Sequence, residues 1–365
     1  MAVTSTPDSL NIVKWRKDFM REWQRANLFQ PYTGKAEEGM RSIIHQIYEL
    51  KDGGEEIRVP LIVSLADAGV TGASTLAGNE EALDTYGHPV LIDWERHAVK
   101  LNKKQMRKSA ADQMAMARPL LTEWQANRVR DATIQAMGSI NGVNYNTATA
   151  AQRNAWAAAN SDRVLYGSAV GNYSGTHATD LGKLDTTADK MDTGIASTAK
   201  RLARAARPKI RPVRVEGGKE FFVMFHGMRA FRELKNDTAI TAANREARPR
   251  DVGNNPLFQD GDLLYEGIIH VEVPEIDDLL LQAAAGDSST PVAPSFLCGA
   301  QAISHAIGQL PMPTELNEDD YGFVKGRGVE SCYGINKTIF NGSRTGSSNK
   351  DWGMVTVWTN TPADA

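Results

Sequence analysis

Cysteine is scarce in this 365-residue chain, which contains only Cys298 and Cys332. Two cysteines cannot form the disulfide framework of a small secreted domain, so we expect a reducing compartment and two small buried thiols. The sequence also lacks an apolar run of membrane-spanning length, and its first residues lack a basic segment followed by an apolar one. These absences predict a soluble protein without a secretory signal.

An excess of charge of one sign is absent as well. The 41 Lys and Arg and the 44 Asp and Glu leave a formal net charge of -3. This balance argues against a dedicated nucleic-acid binder, whose affinity depends on neutralising phosphates with basic side chains.

Motifs for catalysis and metal binding are also missing. The glycine-rich segment 69–78 has no lysine for a phosphate-binding loop, and Leu76 stands where a nucleophile elbow needs glycine. The seven histidines form no pair at zinc-ligand spacing, and the calcium-loop pattern is absent. We therefore predict no catalytic residues, no cofactor and no metal. Because His226 and His270 interrupt apolar strands, we interpret them as core or interface histidines. A hydrolase using His226, Asp237 or His270 stays a minor alternative.

The stretch 55–101 organises the chain, and we interpret it as one long two-stranded arm. Alternating β-branched residues begin near Ile57, and a second apolar series follows from Val90 after a middle rich in Gly, Ser, Thr and Asn. A lone hairpin is marginal in water, so this arm needs a partner, which we expect to be another copy of the chain. Glu80 and Glu81 near its tip either form ion pairs with that neighbour or serve solubility.

A long helix is predicted after the arm, from Asn102 to Met137, with Pro119 either kinking it or starting its second part. An amphipathic helix from Ser9 to Phe29 either packs on its own body or lies under a neighbouring subunit. The remaining predictions are a helix near Trp156, a strand at 163–166, a surface loop at 173–185, a helix at 187–206, strands at 209–216 and 220–226, a helix after Gly227, and a strand at 296–298 that turns into a small-residue helix.

A basic run without acidic residues follows the helix at 187–206. It consists of Lys200, Arg201, Arg204, Arg207, Lys209, Arg211 and Arg214. One interpretation places this run in contact with the phosphates of DNA. The other is a solvated face that pairs with acidic residues nearby. A nucleic-acid-binding protein using Lys200 to Arg214 is the main alternative function.

Several segments in one order carry a family resemblance. They are Gly69-Val70-Thr71-Gly72, Leu76-Ala77-Gly78-Asn79, Arg96-His97-Ala98-Val99, Asn255-Pro256-Leu257-Phe258, Tyr265-Glu266-Gly267, Phe296-Leu297-Cys298-Gly299 and Asp351-Trp352-Gly353. From about Glu55 to Trp358 the chain resembles the tailed-phage major capsid proteins of the Hong Kong 97-type fold, and within them the N4-like family.

The resemblance implies an α+β fold with these parts: an N-terminal arm at 1–50, the extended hairpin loop at 51–101, a peripheral domain with a long spine helix at 102–185, an axial domain at 186–325 and a return to the peripheral domain at 326–365. It implies self-assembly into hexamers and pentamers of an icosahedral shell around double-stranded DNA. For contact between subunits we predict six arm residues: Leu61, Val63, Leu65, Leu91, Ile92 and Trp94. For a possible inner surface we predict Lys200, Arg201, Arg204 and Arg207.

The resemblance also implies partners and a location. We expect a separate scaffolding protein, because the long helical leader of a built-in scaffold is lacking, together with a portal, a possible decoration protein and packaged DNA bound without sequence specificity. The location would be the virion, with assembly in the host cytoplasm and no membrane contact. Some relatives cross-link their subunits through a lysine on the arm. Because no lysine lies between Ile57 and Val99, we expect cohesion without covalent bonds.

Overall fold

The computed structural model describes residues 29–35, 42–62, 65, 69–80, 85–108, 113–214, 220–246, 263–340 and 349–363. The predicted helix from Ser9 to Phe29 lies outside these residues except for Phe29. The described helices are α1 Lys103–Lys108, α2 Gln113–Met137, α3 Ala150–Ala159, α4 His177–Leu181, α5 Thr193–Ala205, α6 Met228–Asn236, α7 Thr238–Glu246 and α8 Glu275–Leu280. Short 3-10 turns are Gln30–Tyr32, Glu49–Asp52, Val170–Asn172 and Asp287–Ser289. No helix among the described residues is long and apolar enough to span a membrane.

The strands divide between two larger sheets and two small ribbons. They are β1 Thr33–Lys35, β2 Ile44–Ile47, β3 Glu56–Ile62, β4 Thr85–Leu91, β5 Asp93–Asn102, β6 Val164–Tyr166, β7 Val213–Arg214, β8 Glu220–His226, β9 Leu263–Tyr265, β10 Ile268–Glu272, β11 Val292–Cys298, β12 Ile303–Asp319, β13 Val324–Lys337, β14 Ile339–Phe340, β15 Lys350–Asp351 and β16 Met354–Asn360. β3 pairs with β4 and β14 with β15 in the two ribbons.

The central sheet has the order β6-β16-β11-β8-β10-β9, with β7 paired to the start of β8. Its strand β8 is buried on both faces, because successive side chains of β8 enter different core clusters. Val223 and Phe225 join a cluster with α3 and α8, whereas Phe222 and Met224 join one with α5 and α6. The prediction of a strand in the middle of a sheet at 220–226 is therefore confirmed.

The spine sheet has the order β1-β2-β12-β13-β5, and the long helix α2 lies against it. Leu121 of α2 is buried against Val329 of β13, and Trp124 stacks on His97 of β5 with ring centroids 4.7 Å apart. Pro119 lies inside α2, so the helix continues through it. Leu120 of the same helix points to solvent and is 60% exposed.

Two local predictions are wrong. The strand at 296–298 does not turn into a helix, because Gln301 adopts a positive φ of 56° and β12 begins at Ile303. The turn fits tightly against the extended segment that follows α5, since Ala300 N–H donates to the carbonyl of Arg211 at 2.8 Å. The segment 173–185 is more than a surface loop, because it contains α4 with a buried His177.

Strand pairing groups the chain differently from the predicted domain boundaries, which stay a prediction. β12, placed in the axial domain, pairs with β13 and β2 in the spine sheet. β13 pairs with β5, as a return to the spine-helix region requires. β16 does not make that return, because it pairs with β11 and β6 in the central sheet. The C-terminal segment is therefore shared between the two sheets.

Candidate functional site: the arm, its root and the basic run

The arm consists of β3, the tip at 69–80 and β4. Its strands are antiparallel, with register from Glu56↔Leu91 to Ile62↔Thr85. The N–H of Ile92 donates to the carbonyl of Glu55 at 3.0 Å and closes the hairpin where it leaves the body. All residues from 71 to 80 are exposed, so the tip does not lie on its own chain. The predicted hairpin is thus present.

The arm is shorter than the sequence predicted. It ends at Leu91, and β5 starts at Asp93 as the edge strand of the spine sheet. Trp94 faces Cys332 of β13 in the register and Val99 faces Arg327. Trp94 and Val99 fall within the stretch predicted as the arm, because the apolar series that begins at Val90 continues through Ile92. Alternation shows which face a residue takes and does not show which strand it pairs with.

The root is the part of the arm that packs on the body. Val90 is fully buried in a cluster with Ile47, Leu50 and Ala306. His88 is also buried there, and burial lowers the pKa of its imidazole to about 4. The root is therefore fixed by apolar contacts while the tip stays in solvent.

Two glycines allow the root to approach the spine sheet closely. A Cβ on Gly334 would lie 1.9 Å from the carbonyl oxygen of Leu91, and a Cβ on Gly308 would lie 2.8 Å from Cδ1 of Ile92. Backbone contact at this range admits only glycine, because the Leu91 carbonyl cannot move without shifting the arm. We name Gly308 and Gly334 the glycine seat of the arm.

The predicted contact residues separate into three groups. Leu65, Leu91 and Trp94 are available to a partner, with exposures of 64%, 62% and 55%. Ile92 is half-buried and packs on the root cluster, so it holds the arm to its own body, and its contact with another subunit stays a prediction. The side chain of Leu61 and all of Val63 lie outside the described residues.

A second hairpin is formed by β12 and β13 within the spine sheet, and the sequence patterns did not predict it. Its turn places Tyr321 at a positive φ of 51° and leaves its side chain completely exposed. Phe323 and Leu316 nearby are 41% and 39% exposed. The Asp-Tyr-Gly sequence at 320–322 is the signal that could have indicated the turn, since Asp and Gly tolerate the left-handed conformation.

The basic run forms an exposed surface. Arg201 and Arg204 lie on the outer side of α5, and Arg207, Lys209 and Arg211 alternate along the extended segment that follows, with Ile210 buried between them. Lys200 donates to the carbonyl of Glu266, and Arg214 pairs with Glu220 at 3.2 Å. Local partners therefore account for the two ends of the run.

The histidines of the hydrolase alternative lie inside the central sheet. His226 Nε2 is 2.9 Å from His270 Nδ1, and His226 Nδ1 is 3.0 Å from Ser295 Oγ. Both rings are fully buried, and burial lowers the pKa of His270 to about 4 and that of His226 well below its ordinary value. Neither ring is open to a substrate, so the interpretation as core histidines is confirmed.

Asp237, the third residue of the hydrolase alternative, has a structural role at two helix starts. Its carboxylate accepts from Thr193 N–H at 2.8 Å and from Ala239 N–H at 3.0 Å. These bonds lower the pKa of Asp237 against the opposing effect of burial. Among the described residues, no three His, Cys, Asp or Glu side chains lie together as potential metal ligands. Both cysteines are free and buried, as predicted.

Comparison with known proteins agrees with this geometry. The family model described as "Phage capsid protein" matches residues 3–363. A curated major capsid protein of Pseudomonas phage KPP25 is 28% identical over 375 residues, covering 94% of this chain and 93% of that protein. The cyanophage Pam1 capsid structure is 38% identical with a TM-score of 0.83 and 93% of each chain covered. The capsid of Ralstonia phage GP4 shares the fold at 22% identity, with a TM-score of 0.69 and coverage of 93% and 92%.

The chain therefore belongs to the phage capsid protein family. The predicted α+β fold of the Hong Kong 97 type and the predicted function as a major capsid protein are confirmed. This family is a structural one and not a class of enzymes. The N4-like assignment stays a prediction.

Proposed function

We propose that copies of this chain form the hexamers and pentamers of an icosahedral shell that encloses double-stranded DNA. The observation that supports this most is the arm, whose root is buried in the body while its tip and the apolar side chains of Leu65 and Leu91 stand in solvent. Apolar surface in this position is stabilised only when another molecule covers it. Repetition of one weak contact over many copies makes a closed shell stable.

The shell is tested by assembly of the purified chain, followed by light scattering and negative-stain microscopy. We expect wild-type particles with hexameric and pentameric units, and a loss of particles in Leu91→Asp, which places a charge in the proposed contact. Val170→Asp is the matched control, because Val170 is 43% exposed and lies outside the arm. A wild-type chain that remains monomeric under all assembly conditions contradicts the proposal.

The basic run supports DNA as the enclosed polymer, with Lys200, Arg201, Arg204 and Arg207 on the inner surface. Contacts to phosphate alone carry no sequence information, so this contact is non-specific. We expect Arg201→Gln/Arg204→Gln to assemble normally and to retain less DNA as salt is raised. Steep salt-dependent DNA binding by the soluble chain, lost in the same variant, would instead favour the nucleic-acid-binding alternative.

A scaffolding protein, a portal and a possible decoration protein complete the proposed set of partners. The proposed location is the virion capsid after assembly in the host cytoplasm. The exposed tip of the β12–β13 hairpin at Tyr321 and the arm offer the surfaces that such partners would contact. Co-purification of particles from infected cells, followed by mass spectrometry, tests each partner separately.

A further inference from the structure

Residues 207–211, which follow α5, form a segment whose backbone is tied to the body of the protein. The carbonyl of Arg211 accepts from Ala300 N–H at 2.8 Å. The N–H of Ile210 donates to the carbonyl of Ala203 in α5 at 3.0 Å, and the Ile210 side chain is buried. These contacts fix the path of the chain from two sides, so we name residues 207–211 the anchored segment.

Two buried cations hold the first carbonyls of the anchored segment. Arg163 donates to the carbonyl of Pro208, and Lys350 Nζ donates to the carbonyl of Arg207 at 3.3 Å. The side chains of Arg163 and Lys350 are 0% and 10% exposed. Because a buried cation is costly unless its donors are satisfied, both cations resist movement of the carbonyls that they bind. The anchored segment is therefore held in one position before any ligand reaches it.

The same segment presents three cations to solvent. Arg207, Lys209 and Arg211 occupy alternate positions and are exposed. None of the three side chains forms an ion pair with another described residue. The carboxylate of Asp162 lies beside the segment, but it accepts from Lys350 Nζ and from Arg207 N–H, each at 3.1 Å. The positive charge on the outer side of the segment is therefore not neutralised by the described part of the chain.

The composition around the anchored segment indicates the class of ligand. Residues 201–214 contain six basic side chains and no acidic or aromatic one, and none of their large apolar side chains is exposed. Interfaces between proteins have an apolar core, and sites for single-stranded nucleic acid stack bases on aromatic side chains. Both features are missing among these residues. The phosphates of a duplex require neither, since Lys and Arg alone can bind them.

We infer that the anchored segment binds the phosphates of double-stranded DNA, and that Arg163 and Lys350 are positioning residues that act through its backbone. In extended backbone, Lys209 and Arg211 lie about 6.6 Å apart, which is comparable with the separation of neighbouring phosphates along one strand. Because the backbone is fixed in advance, binding orders only the side chains. This inference rests on the proposed function, and it adds the residues that meet the polymer and the groups that hold them.

Removal of two exposed cations tests the contact. Particles are assembled with a limiting amount of a short labelled duplex, treated with nuclease, and assayed for protected duplex per particle as the salt concentration is raised. We expect Lys209→Gln/Arg211→Gln to assemble normally and to protect less duplex at about 50 mM salt. Raising the salt to about 200 mM should reduce protection by the wild type about tenfold more than by the variant, because each lost phosphate contact accounts for a factor of about 3.5.

The matched control is Lys103→Gln/Lys104→Gln. Both lysines are exposed on α1, outside the basic run, and their replacement removes the same charge. We expect this control to protect duplex with the salt dependence of the wild type. An equal effect in the control would attribute protection to net charge and contradict a contact at the anchored segment.

The role of the buried cations is tested at Lys350, which is buried behind the anchored segment. We expect Lys350→Met to keep all three exposed cations but to speed hydrogen exchange at residues 207–211 and to lower protection of the duplex. Lys350→Arg should restore both, since it returns a donor to the Arg207 carbonyl. Protection of duplex by Lys350→Met at the wild-type level would contradict the positioning role.

Two further probes define the ligand. A single-stranded oligonucleotide and poly-glutamate of the same charge replace the duplex in the same assay. We expect the wild type to protect each of them less than the duplex. If either is protected as well as the duplex, the segment binds negative charge of any kind and the inference is wrong.

The outcomes separate this inference from the proposed function. Particles that protect duplex equally in the wild type and in Lys209→Gln/Arg211→Gln contradict the inference alone. A wild-type chain that stays monomeric under all assembly conditions contradicts the shell and the inference together.

Discussion

Lys337 and Asp351 form an ion pair that is buried inside the protein. The Lys337 Nζ lies 2.9 Å from Asp351 Oδ2, and the two side chains are 1% and 2% exposed. Trp156 Nε1 donates to the same carboxylate oxygen at 3.2 Å, and Asn160 Oδ1 accepts from Asp351 N–H at 2.8 Å. This pair joins the end of β13, in the spine sheet, to β15 and α3 beside the central sheet.

Removing one partner of this pair should destabilise the protein strongly. We expect Lys337→Met to lower the free energy of unfolding by about 3–5 kcal/mol, because the Asp351 carboxylate would remain buried without its cation. Denaturant unfolding of the purified chain measures the change. Arg214→Gln is the control, since Arg214 and Glu220 form an exposed pair and we expect a change of about 1 kcal/mol or less. Equal losses in both variants would refute a special role for the buried pair.

The buried histidines should make the fold sensitive to acid. Burial lowers the pKa of His88, His177, His270 and His305 to about 4 in the folded protein. Since an unfolded histidine has a pKa of ~6.5, the unfolded state binds more protons between these values, and stability falls as the pH falls from about 6.5 towards 4. Above pH ~6.5 the contribution of these groups is constant.

A single substitution isolates one of these contributions. We expect His88→Leu to reduce the pH dependence of the unfolding free energy by up to about 1.4 kcal/mol per pH unit. His88 Nε2 has no hydrogen-bond partner among the described residues, so its loss should cost little at neutral pH. Unfolding titrations from pH 7 to 4, of the variant and of the wild type, measure the two slopes. If the unfolding free energy of His88→Leu depends on pH as steeply as that of the wild type, His88 does not contribute to the acid sensitivity and the prediction is wrong.

The glycine seat should set the direction of the arm. We expect Gly334→Ala to destabilise the root by about 1–3 kcal/mol, because the new methyl group overlaps the Leu91 carbonyl. Hydrogen exchange at residues 88–92 and the yield of regular particles measure the effect. Gly87→Ala is the control on the arm itself, since its Cβ would lie 3.9 Å from the nearest atom, Cβ of Arg58. Normal particles and unchanged hydrogen exchange at residues 88–92 in Gly334→Ala would contradict this prediction.

Cohesion of the assembled shell should require no covalent bond. The segment from Ile57 to Val99, which includes the arm, contains no lysine, so the amine needed for a cross-link from this segment is missing. We expect assembled particles to dissociate in hot detergent to a single monomer band on a denaturing gel. A ladder of multimers that survives reduction and boiling would contradict this prediction.

Periodicity predicted the parts of the fold that short-range sequence determines. The hairpin at 56–62 and 85–91, the buried strand at 220–226 and the helix α5 follow from alternation, from turn residues and from a basic outer face. The confirmed core position of His226 and His270 came from the same patterns.

The parts that the sequence did not predict depend on contacts between distant segments. Gly299 and Ala300 resemble the start of a small-residue helix, but Gly299 lies at a close approach of two backbone segments, where a Cβ would be 2.3 Å from the Arg211 carbonyl oxygen. Trp94 continues the alternation of the arm, and only its pairing with Cys332 assigns it to the spine sheet. The buried charge of Asp351 gave no local signal either, because its partner Lys337 is supplied by another strand.

The arm passes into β5 through Ile92 alone, and this has a mechanical consequence. β5 is paired with β13 along its whole length, from Asp93↔Tyr333 to Asn102↔Val324. Antiparallel hydrogen bonds lie perpendicular to the strands, so tension along β5 loads them together in shear and does not open them one after another. A pull on the arm from a neighbour is therefore shared by all the hydrogen bonds between β5 and β13. The strain that reaches the long helix α2, which packs on β13, is spread along the strand.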